Sequence, residues 1–127
     1  MDCIFCKIVK GELPSTKVYG DSEFLAFMNI YPASKGHVLI IPKDHIAWMQ
    51  DANDATVSKI FIIAKNLMSK IKVALSCDYV QLSVLGQEIQ HFHVHLIPRY
   101  HKDSMPTWTP VSYDSPEEMQ SYAQKIQ

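Results

Sequence analysis

Between Val57 and Leu75, apolar residues return at steps of three and four: Val57, Ile60, Phe61, Ala64, Leu67, Met68, Ile71 and Leu75. That period gathers them on one side of an α-helix of more than four turns, and Asn53 or Asp54 can cap its start. A stripe of this kind must be buried against a second layer. The flanking segments supply one, so the stripe reads as a helix packed on a sheet rather than as a cofactor site.

Before the helix, Thr16-Lys17-Val18-Tyr19 passes through a turn at Gly20-Asp21-Ser22 into Glu23-Phe24-Leu25-Ala26-Phe27-Met28, a hairpin pattern. A loop holding Pro32, Ser34 and Gly36 leads to His37-Val38-Leu39-Ile40-Ile41, a buried-strand run closed by Pro42. After the helix come two more strands, Tyr79 to Leu85 and His91 to Ile97, the second ended by Pro98. Ser115-Pro116-Glu117-Glu118 offers a cap, a first-turn proline and a capping-box glutamate, opening a short helix to about Ile126. With no repeat or linker, the expectation is one α+β domain over residues 1–127, with five antiparallel strands and two helices.

Hydrophobic residues make up 47% of the chain and charged residues 20%, which suits a packed core and excludes a disordered chain. The formal net charge of -1 gives no electrostatic case for nucleic acid or an anionic membrane. No apolar run approaches the roughly 20 residues that span a bilayer. The opening Met1-Asp2-Cys3-Ile4-Phe5-Cys6-Lys7 carries an acid early and no long apolar core, so a cytoplasmic protein is expected. Cys3 and Cys6 are paired by spacing while Cys77 stands alone; in a reducing compartment such a pair points to metal or redox chemistry rather than a disulfide framework.

The run His91-Phe92-His93-Val94-His95 carries the functional signal. In a strand, side chains alternate faces, so three imidazoles share one face at steps of about 7 Å while Phe92, Val94 and Leu96 face the core. One such histidine is ordinarily structural; three in register point to chemistry. Two chemistries use the array: metal ligation by imidazole, and nucleophilic attack by a neutral imidazole whose other nitrogen is held by an acceptor. Gly86-Gln87-Glu88 just ahead offers a tight turn with N–H groups and an amide suited to a phosphate oxygen. Spacing alone does not decide between them.

The run His91-Phe92-His93-Val94-His95-Leu96-Ile97 resembles the signature of the histidine triad family. So do Asp2-Cys3-Ile4-Phe5-Cys6-Lys7-Ile8, Phe24-Leu25-Ala26-Phe27-Met28-Asn29-Ile30, Gly36-His37-Val38-Leu39-Ile40-Ile41-Pro42-Lys43-Asp44-His45 and Gly86-Gln87-Glu88, together covering roughly residues 2 to 100. The resemblance implies the antiparallel α+β fold of that family, usually a homodimer joined through the long helices and a strand edge.

It also implies hydrolysis of purine nucleoside 5′-phosphoramidates or related nucleotidyl compounds at the α-phosphate, releasing a nucleoside monophosphate such as AMP. His93 takes the nucleophile's position, with its other nitrogen held by a backbone carbonyl near His91, and His95 takes that of the phosphate donor. Gln87, Glu88 and Gly86 fall at the phosphate. Where Glu88 stands, related proteins often carry Ser or Thr, and a carboxylate there opposes phosphate unless protonated or turned away. Ile4, Phe5, Ile8, Phe27 and Ile30 match the base pocket and Asn29 the ribose contact. Cys3, Cys6, His45 and His91 match a structural zinc site found in part of the family, with His37 as a neighbour. His101 reads as solvated surface.

One departure stands out. Family members commonly place an Asn-x-Gly loop before Gly-Gln, whereas here Tyr79-Val80-Gln81-Leu82-Ser83-Val84-Leu85-Gly86 runs straight through with several residues fewer. Ser83 can partly substitute at the phosphate, and a less enclosed site is expected. Dinucleoside polyphosphate hydrolysis is the alternative within the same chemistry. A low-turnover nucleotide-binding module and a zinc-stabilised interaction protein are the alternatives outside it.

Overall fold

The computed structural model describes residues 2–106 and 108–127. Its elements run α1 (Ile4–Val9), β1 (Lys17–Gly20), β2 (Phe24–Met28), β3 (Val38–Pro42), a 3-10 turn (Met49–Asp51), α2 (Asp54–Leu75), β4 (Tyr79–Ser83), β5 (Val94–Arg99) and α3 (Pro116–Ile126). The strands form one antiparallel sheet in the order β1-β2-β3-β5-β4. Five strands and the α+β class are as the sequence leads one to expect.

Local chemistry sets the boundaries. The β1–β2 turn is fixed by Asp21, whose Oδ1 accepts from the N–H groups of Glu23 and Phe24, both at 2.7 Å. Asn53 caps α2 by accepting from the Thr56 N–H at 2.8 Å, and Ser76 ends that helix in the left-handed region at φ 53. Ser115 caps α3 by accepting from the Glu118 N–H at 3.1 Å, while Glu118 accepts in return from the Asp114 N–H.

The sheet has two covered faces. On one, Phe24, Ala26, Val38, Ile40, Val94 and Leu96 pack against Ile60, Ala64, Leu67 and Ile71 of α2. On the other, Leu25, Phe27, Leu39 and Ile41 meet Cys3 and Phe5 beneath α1. Alternation along β2, β3 and β5 assigns each residue to its face. The expectation that Phe92, Val94 and Leu96 would face the core, away from the histidines, holds.

Three expectations need correction. Helix α1 is a third α-helix; it has six residues and is capped by a thiol, Cys3, so neither length nor cap residue announced it. His91 and His93 lie before β5 rather than within it, because the ladder begins at Val94. Pro98 lies inside β5: recorded pairing with β3 stops at Leu96, leaving the proline a strand neighbour only in β4, an arrangement prolines tolerate. Among the described residues, no helix is long and apolar enough to cross a membrane.

Candidate active site

Cross-strand register assembles the floor of a cavity. Phe27 pairs with Leu39, Leu39 with His95, and His95 with Ser83, a row on the α1 face of the sheet. Above it lies a cavity of about 430 Å³. Phe5 and Ile8 of α1 and Phe27 of β2 give it apolar walls, Asn29 and Ile30 follow β2, and Gln87 and Glu88 come from the loop before the triad. Ile30 is 79% exposed and Ile4 52%, so they form the lip rather than the walls.

His93 is buried. Its Nδ1–H donates to the His91 carbonyl at 2.6 Å, and the Phe5 ring meets it edge-on with centroids 5.1 Å apart. With one nitrogen fixed as donor, Nε2 keeps its lone pair, and the residue lines the cavity.

His95 has its proton order set by a chain of donors. The Ala33 N–H donates to His37 Nδ1 at 3.0 Å, so the His37 proton sits on Nε2, which donates to His95 Nδ1 at 2.9 Å. His95 is thereby left with an Nε2–H donor. Burial, then the neighbouring His93 and His37, push its pKa down to about 4, so the ring is neutral at physiological pH. Burial also lowers the pKa of His37. His37 therefore serves His95, which corrects the sequence expectation that it neighbours the Cys/His cluster. A histidine just ahead of β3, the strand paired with β5, was the available signal, but its partner depends on register.

Asn29 Oδ1 accepts from the Tyr31 N–H at 2.9 Å, an Asx turn that orients the side chain and leaves Nδ2–H₂ to donate. Gly86 has φ +77, and a Cβ there would come within 2.7 Å of the Trp48 ring. Glycine is thus required on both counts. Neither Gly86 nor Ser83 lines the cavity; Gly86 shapes the turn ahead of Gln87, and Ser83 Oγ accepts from Gln81 at 3.0 Å. Leu39, Met28, Tyr31 and Leu85 line the cavity without having been singled out from sequence.

Behind His93, the sulfurs of Cys3 and Cys6 and one nitrogen each of His45 and His91 lie within 4.8 Å of one another. Cys3 Sγ is 3.3 Å and Cys6 Sγ 3.6 Å from His91 Nδ1, and Cys6 Sγ is 3.3 Å from His45 Nδ1. A tetrahedral zinc ion holds sulfur and nitrogen ligands about 3.6 Å apart. His91 Nε2–H donates to the Pro42 carbonyl at 2.8 Å, which frees Nδ1 as a ligand atom. Burial and then Cys3 push the Cys6 thiol pKa up, a penalty that a divalent cation reverses. Donor set and spacing both fit zinc.

An imidazole with one nitrogen locked, the other facing an apolar cavity and a second imidazole donor alongside is equipped for covalent catalysis. Known proteins of similar sequence and fold give the family. A family model of the HIT domain matches residues 10–102, and the chain belongs to this family. The adenosine 5′-monophosphoramidase of Schizosaccharomyces pombe is 36% identical over 131 residues, spanning 99% of this chain and 96% of its own. The crystal structure of a HIT family member from Bacillus subtilis, 34% identical, aligns with a TM-score of 0.88 over 99% of this chain and 95% of that one. A Zn-bound histidine triad family protein from Mycobacterium smegmatis shares the fold at a TM-score of 0.79 and 24% identity, over 100% of this chain and 99% of its own.

Proposed function

We propose that the protein hydrolyses purine nucleoside 5′-phosphoramidates or related nucleotidyl compounds, releasing a nucleoside monophosphate such as AMP. The observation that carries this reading is the His93–His91 contact, which leaves Nε2 as a free nucleophile at the cavity. The base lies between Phe5, Ile8 and Phe27, and the ribose hydroxyls meet Asn29. Nε2 of His93 attacks the α-phosphorus. The P–N bond to the amine breaks as P–Nε2 forms, and the departing amine takes a proton from solvent. Water then attacks phosphorus, loses a proton to solvent and frees His93. His95 Nε2–H and the Gln87 amide hold the phosphoryl oxygens, a stabilisation that neutral preorganised donors supply.

Zinc on Cys3, Cys6, His45 and His91 would contribute structure, tying α1 to the segment that presents the triad. His91 serves twice in this scheme, as ligand through its ring and as orienter of His93 through its carbonyl. We also propose a homodimer through β4, whose outer edge has no strand partner among the described residues and is followed by exposed Val84 and Leu85.

Incubation with an adenosine 5′-phosphoramidate tests the reaction: AMP should form with the native protein and not with His93→Ala. Tight AMP binding without turnover in the native protein would instead make it a binding module. Metal analysis of the native protein and Cys3→Ser tests the zinc site, and equal zinc in both overturns the ligand set. Light scattering on the native protein gives the oligomeric state.

A further inference from the structure

Phosphate-handling sites usually carry basic side chains, because a phosphoryl group brings negative charge. Among the described residues lining the 430 Å³ cavity there is no lysine and no arginine, and the one carboxylate is Glu88. Glu88 is exposed and stands on the loop that carries Gln87. Together with Ile4 and Ile89 it also lines a second depression, of about 370 Å³, so the same residues border both spaces. The second depression adds Asp2, Cys3, His45 and Gln90 and again has no lysine or arginine among the described residues; the charge of a zinc ion on Cys3, Cys6, His45 and His91 would be balanced by the two thiolates.

The base and ribose are accounted for by Phe5, Ile8, Phe27 and Asn29, and the α-phosphate by neutral donors. With the nucleotide so placed, a group attached to that phosphate would have the loop of Leu85 to Ile89 as one wall, and Glu88 on that loop also borders the depression that holds Asp2. A polyphosphate leaving group would bring several negative charges to a wall that holds two carboxylates and no described cation. A leaving group with a positive charge would meet those carboxylates favourably. For an exposed carboxylate such as Glu88, one such charge pair is worth roughly a threefold preference.

We propose that Glu88 is a specificity-determining residue, selecting leaving groups that carry a second, protonated amino group over neutral or anionic ones. This rests on the phosphoramidate reading above. The α-phosphate itself is served by His95 and Gln87, so Glu88 can act on the departing portion.

The test is a matched set of adenosine phosphoramidates bearing butylamine, 1,4-diaminobutane or 4-aminobutyrate. These present a neutral, cationic or anionic tail on the same leaving nitrogen. The native protein should favour the cationic over the neutral substrate about threefold in kcat/KM, with the anionic one slowest, and the preference should shrink with added salt. The readout is the ratio within each protein, so general damage to folding or rate cancels. In Glu88→Gln the ratio should fall toward one, Glu88→Asp should restore part of it, and Glu88→Lys should favour the anionic tail. Asp2→Asn should lower the ratio less than Glu88→Gln. An equal rate for all three substrates in the native protein, or a full preference kept in Glu88→Gln, overturns the proposal. If no substrate releases AMP, the phosphoramidate reading fails. The same ratio is then taken from dissociation constants of the three compounds, where equal affinities overturn the role of Glu88.

Discussion

The two faces of the sheet are built from the same strands and do different work. Toward α2 the surface is apolar throughout, with Ala26, Ile40, Ile60, Ala64, Val94 and Leu96 fully enclosed. Toward α1 the intervening residues meet a helix of only six residues, and between them is left a cavity bordered by His37, His93 and His95. A long helix with caps at both ends closes one face. A short one held by Cys3 leaves the other partly open. Because strand parity separates the two sets, stability and chemistry are assigned to alternate residues, and a slip of one residue would exchange them.

The sharpest way to break this comparison is one substitution on each face. On the proposed mechanism, His93→Ala should reduce nucleotidyl hydrolysis by more than about a thousandfold, since it would remove the nucleophile. Its denaturation midpoint should stay close to native, as measured by urea unfolding. Ile60→Ala should do the reverse, lowering unfolding free energy by about 2–5 kcal/mol through cavity formation at a fully enclosed site. Its kcat per folded molecule should be near native. If Ile60→Ala abolishes turnover in folded protein, the two faces are coupled and the division fails.

A smaller effect tests the donor chain. His37→Leu removes the group that accepts from Ala33 and donates to His95, and loss of one such hydrogen bond should lower kcat/KM about tenfold. His37→Gln can both accept and donate, so it should lose less. Equal losses in the two variants would mean that His37 acts only by packing.

The last test is the pH dependence of stability. The folded pKa of His95 is lowered to about 4, against about 6.5 for a free imidazole. The unfolded chain therefore binds more protons between these values, and stability falls as pH drops from about 6.5 toward 4. The melting temperature should decline across that window in the native protein, and His95→Gln should flatten the decline. An unchanged slope in His95→Gln would assign the titration to other groups, His37 among them.

Much of this was legible in the sequence, for identifiable reasons. The α2 stripe, the Asp21 turn and the Ser115 cap are local signals, each satisfied within a few residues of chain. The triad, the Cys/His cluster and the residues expected around a nucleoside were picked out through resemblance; the structure gathers the cluster within 4.8 Å and sets Ile4, Phe5, Ile8, Phe27, Asn29 and Ile30 around one cavity. What could not be read depended on register or on weak local signals. Helix α1 is too short to show a period. Leu39 joins the cavity because β3 pairs with both β2 and β5, and His37 meets His95 for the same reason. Ser83 shares a row with His95, yet its hydroxyl accepts from Gln81 instead of facing the cavity. The packing of Trp48 over Gly86 was equally hidden, since the two lie 38 positions apart in the sequence and meet only in the fold.

The Ala33 N–H has a consequence outside enzymology. It sits on the loop between β2 and β3, yet its acceptor is the ring that orders the proton on His95. Protonating His95 at Nδ1 would remove the acceptor of His37 Nε2–H, and that change would reach Ala33 through one imidazole. The amide resonance of Ala33 in a nitrogen–proton NMR spectrum should therefore titrate with His95, giving a backbone signal that reads the charge state of the cavity without a ligand, a label or a turnover assay.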